Sequence, residues 1–188
     1  SAGGAAEGIT EFMPMNVSDL STCYTVRALL PEDAERVLPL LRGNGIFYHY
    51  HPPEPTLASI WEDMAALPLG KTLQDKHYVG FFQGDALIAV MDLILDYPSP
   101  GTAMIGFFMV DISCQGRGTG TQIIAQVLEA LAAQGMTKAR LAIDEGNPQS
   151  CAFWLKNGFV RTGERIPNDI AAYLPMERPL RHGANEPN

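Results

Sequence analysis

The segment from Val110 to Thr121 reads V-D-I-S-C-Q-G-R-G-T-G-T, and its surroundings leave it few conformations. Before it, Thr102–Val110 is a strongly apolar run of strand length. After it, Thr121–Gln134 carries Ile123, Ile124, Val127, Leu128 and Leu131 on one stripe, and Gly135 stops the pattern, as in an amphipathic helix. The three glycines Gly116, Gly118 and Gly120 therefore join a buried strand to a helix start. Unpaired N–H groups there carry a partial positive charge, and residues without a Cβ let an anion come close. The arrangement suits a pyrophosphate, with Arg117 adding charge. A mononucleotide P-loop is excluded because no lysine follows the glycines. A dinucleotide fingerprint is excluded because G-R-G-T-G-T puts Thr121 in the last place and lies far from the first strand of the chain.

The remaining elements support an α/β domain. Tyr24–Leu29 reads as a strand. Pro31, Glu32 and Asp33 open a helix whose stripe is Ala34, Val37, Leu38 and Leu41, with Pro39 inside it and Gly43-Asn44-Gly45 ending it. Residues 47–55, F-Y-H-Y-H-P-P-E-P, read as an aromatic loop. Thr56 caps a second helix with Leu57, Ile60, Trp61 and Met64 on one face. His77–Phe82 and Ala86–Leu95 form a hairpin about Gln83, Gly84 and Asp85. Ala139–Asp144 is a strand, Ser150–Asn157 a short helix closed by Gly158, and Val160–Gly163 and Ala171–Glu177 are the last strands. Hairpins in the middle and alternation in the second half predict a mixed sheet.

Composition narrows the function. The 188 residues suit one domain, and 46% apolar content supports a sizeable core. A net charge of −8 argues against a grip on nucleic acid. Cys23, Cys114 and Cys151 are an odd set without close spacing, read as reduced thiols in a cytoplasmic protein. No apolar run reaches the ~20 residues that span a bilayer, and no signal peptide is visible, so no membrane role is expected. Residues 1–14 read as a cloning remnant or disordered start, 22–180 as the domain, and 181–188 as a flexible tail.

Two motifs carry a resemblance. Gln115, Gly118 and Gly120 give Q-x-x-G-x-G, which resembles the loop by which the GNAT superfamily of acetyltransferases holds the pyrophosphate of acetyl-CoA. Downstream, N-P-Q-S-C-A-F-W-L-K-N-G-F is similar to the second GNAT motif, with Asn147, Ser150, Trp154, Gly158 and Phe159 in its places, and Y-L-P-M-E-R-P-L is similar to the last strand. The resemblance covers Tyr24 to Leu180 and implies a single GNAT-like domain. Its mixed, mostly antiparallel sheet would have about six to seven strands flanked by about four helices. It implies acetyl-CoA as donor, no metal, and transfer of an acetyl group to the primary amine of a small molecule. A protein N-terminus or lysine is the alternative acceptor, and a non-catalytic acyl-CoA-binding module the alternative of another class. Family analogy also raises a homodimer.

The resemblance further implies roles for residues. Main-chain groups of Phe108, Met109 and Val110 would bind the pantetheine arm, and amides of Gly116, Arg117, Gly118, Thr119, Gly120 and Thr121, beside Gln115, would bind the pyrophosphate. The Asn147 amide would bind the CoA arm. Trp154 stands where many members carry a tyrosine acid. An indole N–H is no acid at neutral pH, so Trp154 either packs along the arm or is a core aromatic, and Tyr173 is an alternative proton donor. Ala142 stands where some members carry a glutamate base. Strand alternation puts Asp144 on the same face, so Asp144 or neighbouring Glu145 could take the amine proton through water. On the acceptor side Tyr48, His49, Tyr50, His51 and Trp61 offer aromatic faces to a cationic or flat acceptor.

Overall fold

The computed structural model describes residues 14–181. The chain enters through strand β1 (Thr25–Ala28) and three helices, α1 (Ala34–Arg42), α2 (Gly45–Tyr50) and α3 (Leu57–Ala65). Strands β2 (Lys76–Gln83), β3 (Ala86–Leu95) and β4 (Thr102–Val110) follow, then helix α4 (Thr119–Ala133) and strand β5 (Lys138–Asp144). Helix α5 (Pro148–Lys156) and strands β6 (Val160–Arg161), β7 (Ile166–Pro167) and β8 (Ala172–Pro179) complete the order. All eight strands share one sheet, β1-β2-β3-β4-β5-β8-β6, with β7 also on β8. The expected remnant and tail lie, apart from Pro14 and Arg181, outside the described residues.

The sheet is antiparallel except where β4 meets β5. That parallel pairing lasts for three positions, Thr102–Lys138, Ala103–Ala139 and Met104–Arg140. Beyond Met104 the two strands part, and β5 stays paired with β8 as far as Asp144 opposite Tyr173. On its other edge β4 follows β3, with one irregularity: Asp92 faces Phe107 while Leu93 faces Ile105, so Gly106 is an extra residue. Behind it, Lys76 Nζ donates to Asp92 Oδ2 at 3.0 Å, with the lysine buried and the carboxylate nearly so.

Two cores flank the sheet. Helix α4 buries Ile123, Ile124, Val127, Leu128 and Leu131 against Phe81, Met91 and Leu93 on one face. Full burial of each such side chain stabilises by roughly 1.5–3 kcal/mol. On the other face α1 and α3 bury Val37, Leu40, Leu41 and Ile60 against Tyr78, Phe82, Val90 and Met109.

The structure departs from the sequence reading in three places. Residues 45–50, which take in the start of the expected aromatic loop, are helical. Phe47 and Tyr48 pack onto the second core, and the helix stops before Pro52 and Pro53. Helix α1 runs on through Pro39. The carbonyl that loses its donor is that of Glu35, an exposed residue whose oxygen can turn to water. The two-residue strand β7 was not expected, being too short to show alternation.

Candidate active site

The parting of β4 and β5 opens a cleft of about 870 Å³. Its walls are β4 from Met104 to Val110, β5 from Leu141 to Asp144, the start of α4 and the inner side of α5. The β5-facing backbone of β4 beyond Met104 has no strand opposite it, and alternation gives that edge to the main-chain groups of Phe108. Met109, expected from the sequence to share the role, faces Val90 of β3, in step with the Asp111 amide that donates to the Ile88 carbonyl at 2.8 Å. The Val110 carbonyl differs, because it already accepts from Gln115 Nε2 at 2.8 Å and Asn44 Nδ2 at 3.2 Å.

The glycine loop forms one end of the cleft. Gly116 and Gly118 have φ of 78° and 82°, the left-handed region that disfavours side chains, and Gly118 is the N-cap of α4. The helix thus starts two residues earlier than its apolar stripe suggests, and Thr119, Gly120 and Thr121 are its first turn. A Cβ on Gly116 or Gly118 would meet no atom within 4 Å, so the approach to these amides is open. Gly120 serves packing: its Cβ would lie 3.1 Å from the Phe153 ring. A helix start approached through Gly116 and Gly118, beside a cleft of this volume, fits a pyrophosphate-bearing substrate such as CoA. Arg117 does not line the cleft, and its guanidinium donates to the Ser113 carbonyl. Lys156, at the end of α5, is the one lysine or arginine among the lining residues, and no spacing in the sequence marked it.

Gln115 lies at the edge of the cleft but spends its amide on the fold. Its Nε2 donates to Asn44 Oδ1 at 2.5 Å as well as to Val110. Asn44 is buried and also donates to the Leu40 carbonyl at 2.9 Å. The pair therefore ties the phosphate loop to the junction of α1 and α2. Sequence reasoning took Asn44 only for a helix stop, since its partners lie far along the chain.

Asn147 caps α5, its Oδ1 accepting from the Ser150 amide at 3.2 Å, and it lines the cleft while almost fully buried. Among the described residues its Nδ2 has no hydrogen-bond partner. Trp154 is buried edge-on to Phe153 and Phe159, with ring centroids 4.9 and 5.2 Å away, and also lines the cleft. Trp154 is thus a core aromatic that also forms part of the cleft wall.

At the far end the cleft meets a smaller cavity of about 260 Å³, and His51, Asp144 and Tyr173 line both. His51 Nδ1 lies 3.0 and 3.2 Å from the two Asp144 carboxylate oxygens. That hydrogen bond and the negative charge of Asp144 hold the imidazole above its ordinary 6.5. Tyr173 faces Asp144 across the strand pair, its ring centroid 6.4 Å from that of His51. Glu145 is turned away, gripped by Arg165 at 2.7 and 2.9 Å, and lines only the smaller cavity.

The acceptor-side aromatics divide. His49 and Tyr50 line the smaller cavity. Tyr48 packs into the second core, where burial raises its phenol. Trp61 lies outside both cavities and donates from Nε1 to the Pro31 carbonyl at 2.9 Å. Among the described residues no three His, Cys, Asp or Glu side chains converge as a metal site, and no helix is long and apolar enough to cross a membrane.

Comparison with known proteins agrees with this architecture. No curated protein sequence matches the chain. Among solved structures, an acetyltransferase from Thermus thermophilus superposes with a TM-score of 0.65 at 21% identity, over 84% of this chain and 99% of that one. The ribosomal-protein-S18-alanine N-acetyltransferase from Escherichia coli gives 0.62 at 14% identity, over 87% and 98%. A GNAT superfamily phosphinothricin acetyltransferase from Sinorhizobium meliloti, in complex with AcCoA, gives 0.61 at 16%, over 89% and 94%. At these identities the likeness shows the fold. The family itself follows from the sequence model described as the acetyltransferase (GNAT) family, which matches residues 36–159. The chain belongs to the GNAT family of acetyltransferases, enzymes that draw on acetyl-CoA.

Proposed function

We propose that this enzyme moves the acetyl group of acetyl-CoA to the primary amine of a small molecule by direct transfer. The supporting observation is the size of the space beyond His51, Asp144 and Tyr173. It is about 260 Å³, lined by the end of α2 and by residues 168–172, and its small volume suits a compact acceptor better than an extended peptide.

In this reading the amides from Gly116 to Thr121 bind the pyrophosphate, with the Lys156 ammonium near by. Main-chain groups of Phe108 and the Asn147 amide hold the pantetheine arm. The Trp154 ring packs along that arm and keeps water from the thioester. Asp144 belongs to the group that takes the amine proton, and Tyr173 stands where it could supply a proton to the departing sulfur.

The test is turnover with acetyl-CoA and an amine panel of phenethylamine, spermidine, kanamycin and an alanyl peptide, read as free thiol and acetylated product. Small amines are expected to react and the peptide to be poor. Tight CoA binding with no thiol release on any of them would favour the acyl-CoA-binding module. Turnover on the peptide alone would favour a protein acceptor.

A further inference from the structure

We propose that His51, through its Nε2, is the general base that takes the proton from the acceptor ammonium, and that Asp144 is its positioning residue. This rests on the reading of the site as an acetyl-transfer centre and names the group that performs one of its steps. Strand alternation had offered Asp144 itself as the base, but its carboxylate faces His51. An ionised carboxylate only accepts hydrogen bonds, so the proton between the two side chains sits on Nδ1. With Nδ1–H committed to Asp144, the Nε2 of neutral His51 carries the lone pair. No described residue hydrogen-bonds to that nitrogen, and the ring stands where the cleft and the smaller cavity meet.

The geometry is held from several directions. Asp144 ends β5 and is fixed by its pairing with β8. His51 follows α2, its amide donating to the Phe47 carbonyl at 3.1 Å, and its ring lies 5.3 Å from the Phe47 ring. Phe47 in turn packs edge-on against Phe107, next to the extra residue Gly106. A base on this frame stands at the junction of the two cavities.

The proton and electron balance is complete. Nε2 accepts one proton from R–NH3⁺ and later releases it to solvent. The free amine forms the N–C bond to the acetyl carbon as the C–S bond breaks. The nitrogen's second proton ends on the thiolate, giving R–NH–acetyl and CoASH. No other reactant is needed.

The charged and titratable groups around the ring set the direction of the pH dependence. Asp144 from β5 and the charge of Asp63 from α3 both favour the imidazolium, while burial opposes it. Tyr173 from β8, His49 from α2, Glu145 in its ion pair with Arg165, and Asp169 complete the surroundings. The base must be neutral to act, so kcat rises with pH along a limb whose midpoint lies above 6.5.

The experiment follows kcat against pH for wild type, His51→Gln and Asp144→Asn with whichever of the four panel acceptors turns over, together with CoA affinity and the NMR titration of His51. His51→Gln is expected to lose about 100-fold or more in kcat, to lose the rising limb, and to keep its CoA affinity. Asp144→Asn is expected to move that limb to lower pH. In wild type the neutral imidazole should be the Nδ1–H tautomer, which NMR reads even if a variant folds poorly. A rising limb unchanged in His51→Gln, or an Nε2–H tautomer, would overturn the assignment while leaving acetyl transfer intact. Absence of turnover by wild type on every probe would overturn the transfer reading itself.

Discussion

Gly118 and Gly120 lie two residues apart in the same loop, yet they are glycines for different reasons. Gly118 sits at φ 82° with open space around it, whereas Gly120 lies within the helix and faces Phe153. Gly118→Ala should cost about 1–2 kcal/mol of stability from the left-handed backbone and raise the Kd for CoA at least tenfold, as calorimetry would read. Gly120→Val should displace Phe153 and lower stability by about 1–3 kcal/mol, with CoA affinity falling alongside. The sequence showed both glycines as one cradle, because φ and a neighbour 33 positions away are not written in the spacing (153 − 120). The same holds for Lys76 and Asp92, whose buried pair leaves Asp92 Oδ1 without a partner among the described residues. Lys76→Met should destabilise by about 3–5 kcal/mol, since it strands the carboxylate. In thermal denaturation the double variant with Asp92→Leu should recover most of that loss.

Among the elements, β4, α4, β5 and α5 were legible because each has an apolar pattern of the right period and a clear stop. Asp144 was found that way, by alternation from Ala142. Its pairing with His51, which the sequence offered only as an acceptor-side residue, was not, because His51 follows α2, whose short aromatic run looks like a loop until Phe47 and Tyr48 find the core. The parting of β4 from β5 was implied only by family resemblance, since nothing in either strand alone says where pairing ends. Asn44 is the link that makes α2 part of the site. Asn44→Ala would leave Gln115 Nε2 with one acceptor fewer and the Leu40 carbonyl without that donor. A loss of about 1–3 kcal/mol is expected. The KM for the amine should rise more than the Kd for CoA, because the displaced element carries His51 rather than the helix start.

At the scale of the molecule, the cleft divides a sheet half built from β1–β4 from a half built from β5–β8, joined at three paired positions and spanned by α4. A ligand that touches both halves stabilises the native state by mass action. At a CoA concentration 100 times its Kd the gain is about 2.7 kcal/mol, or roughly 5–10 °C in Tm. The net charge of −8 does not oppose this, because in the proposed binding mode the anionic end of the donor meets backbone amides rather than a basic surface. The charge argues against a nucleic-acid grip and is silent about a phosphate held at one helix start. What it leaves open is the acceptor, which our proposal assigns to the space around His51, Asp144 and Tyr173. The most direct measurement is mass spectrometry of the small-amine reactions with acetyl-CoA, paired with free-thiol release. One acetyl group on the amine for each thiol released is the expected result; bound CoA with neither thiol nor acetylated amine would contradict it.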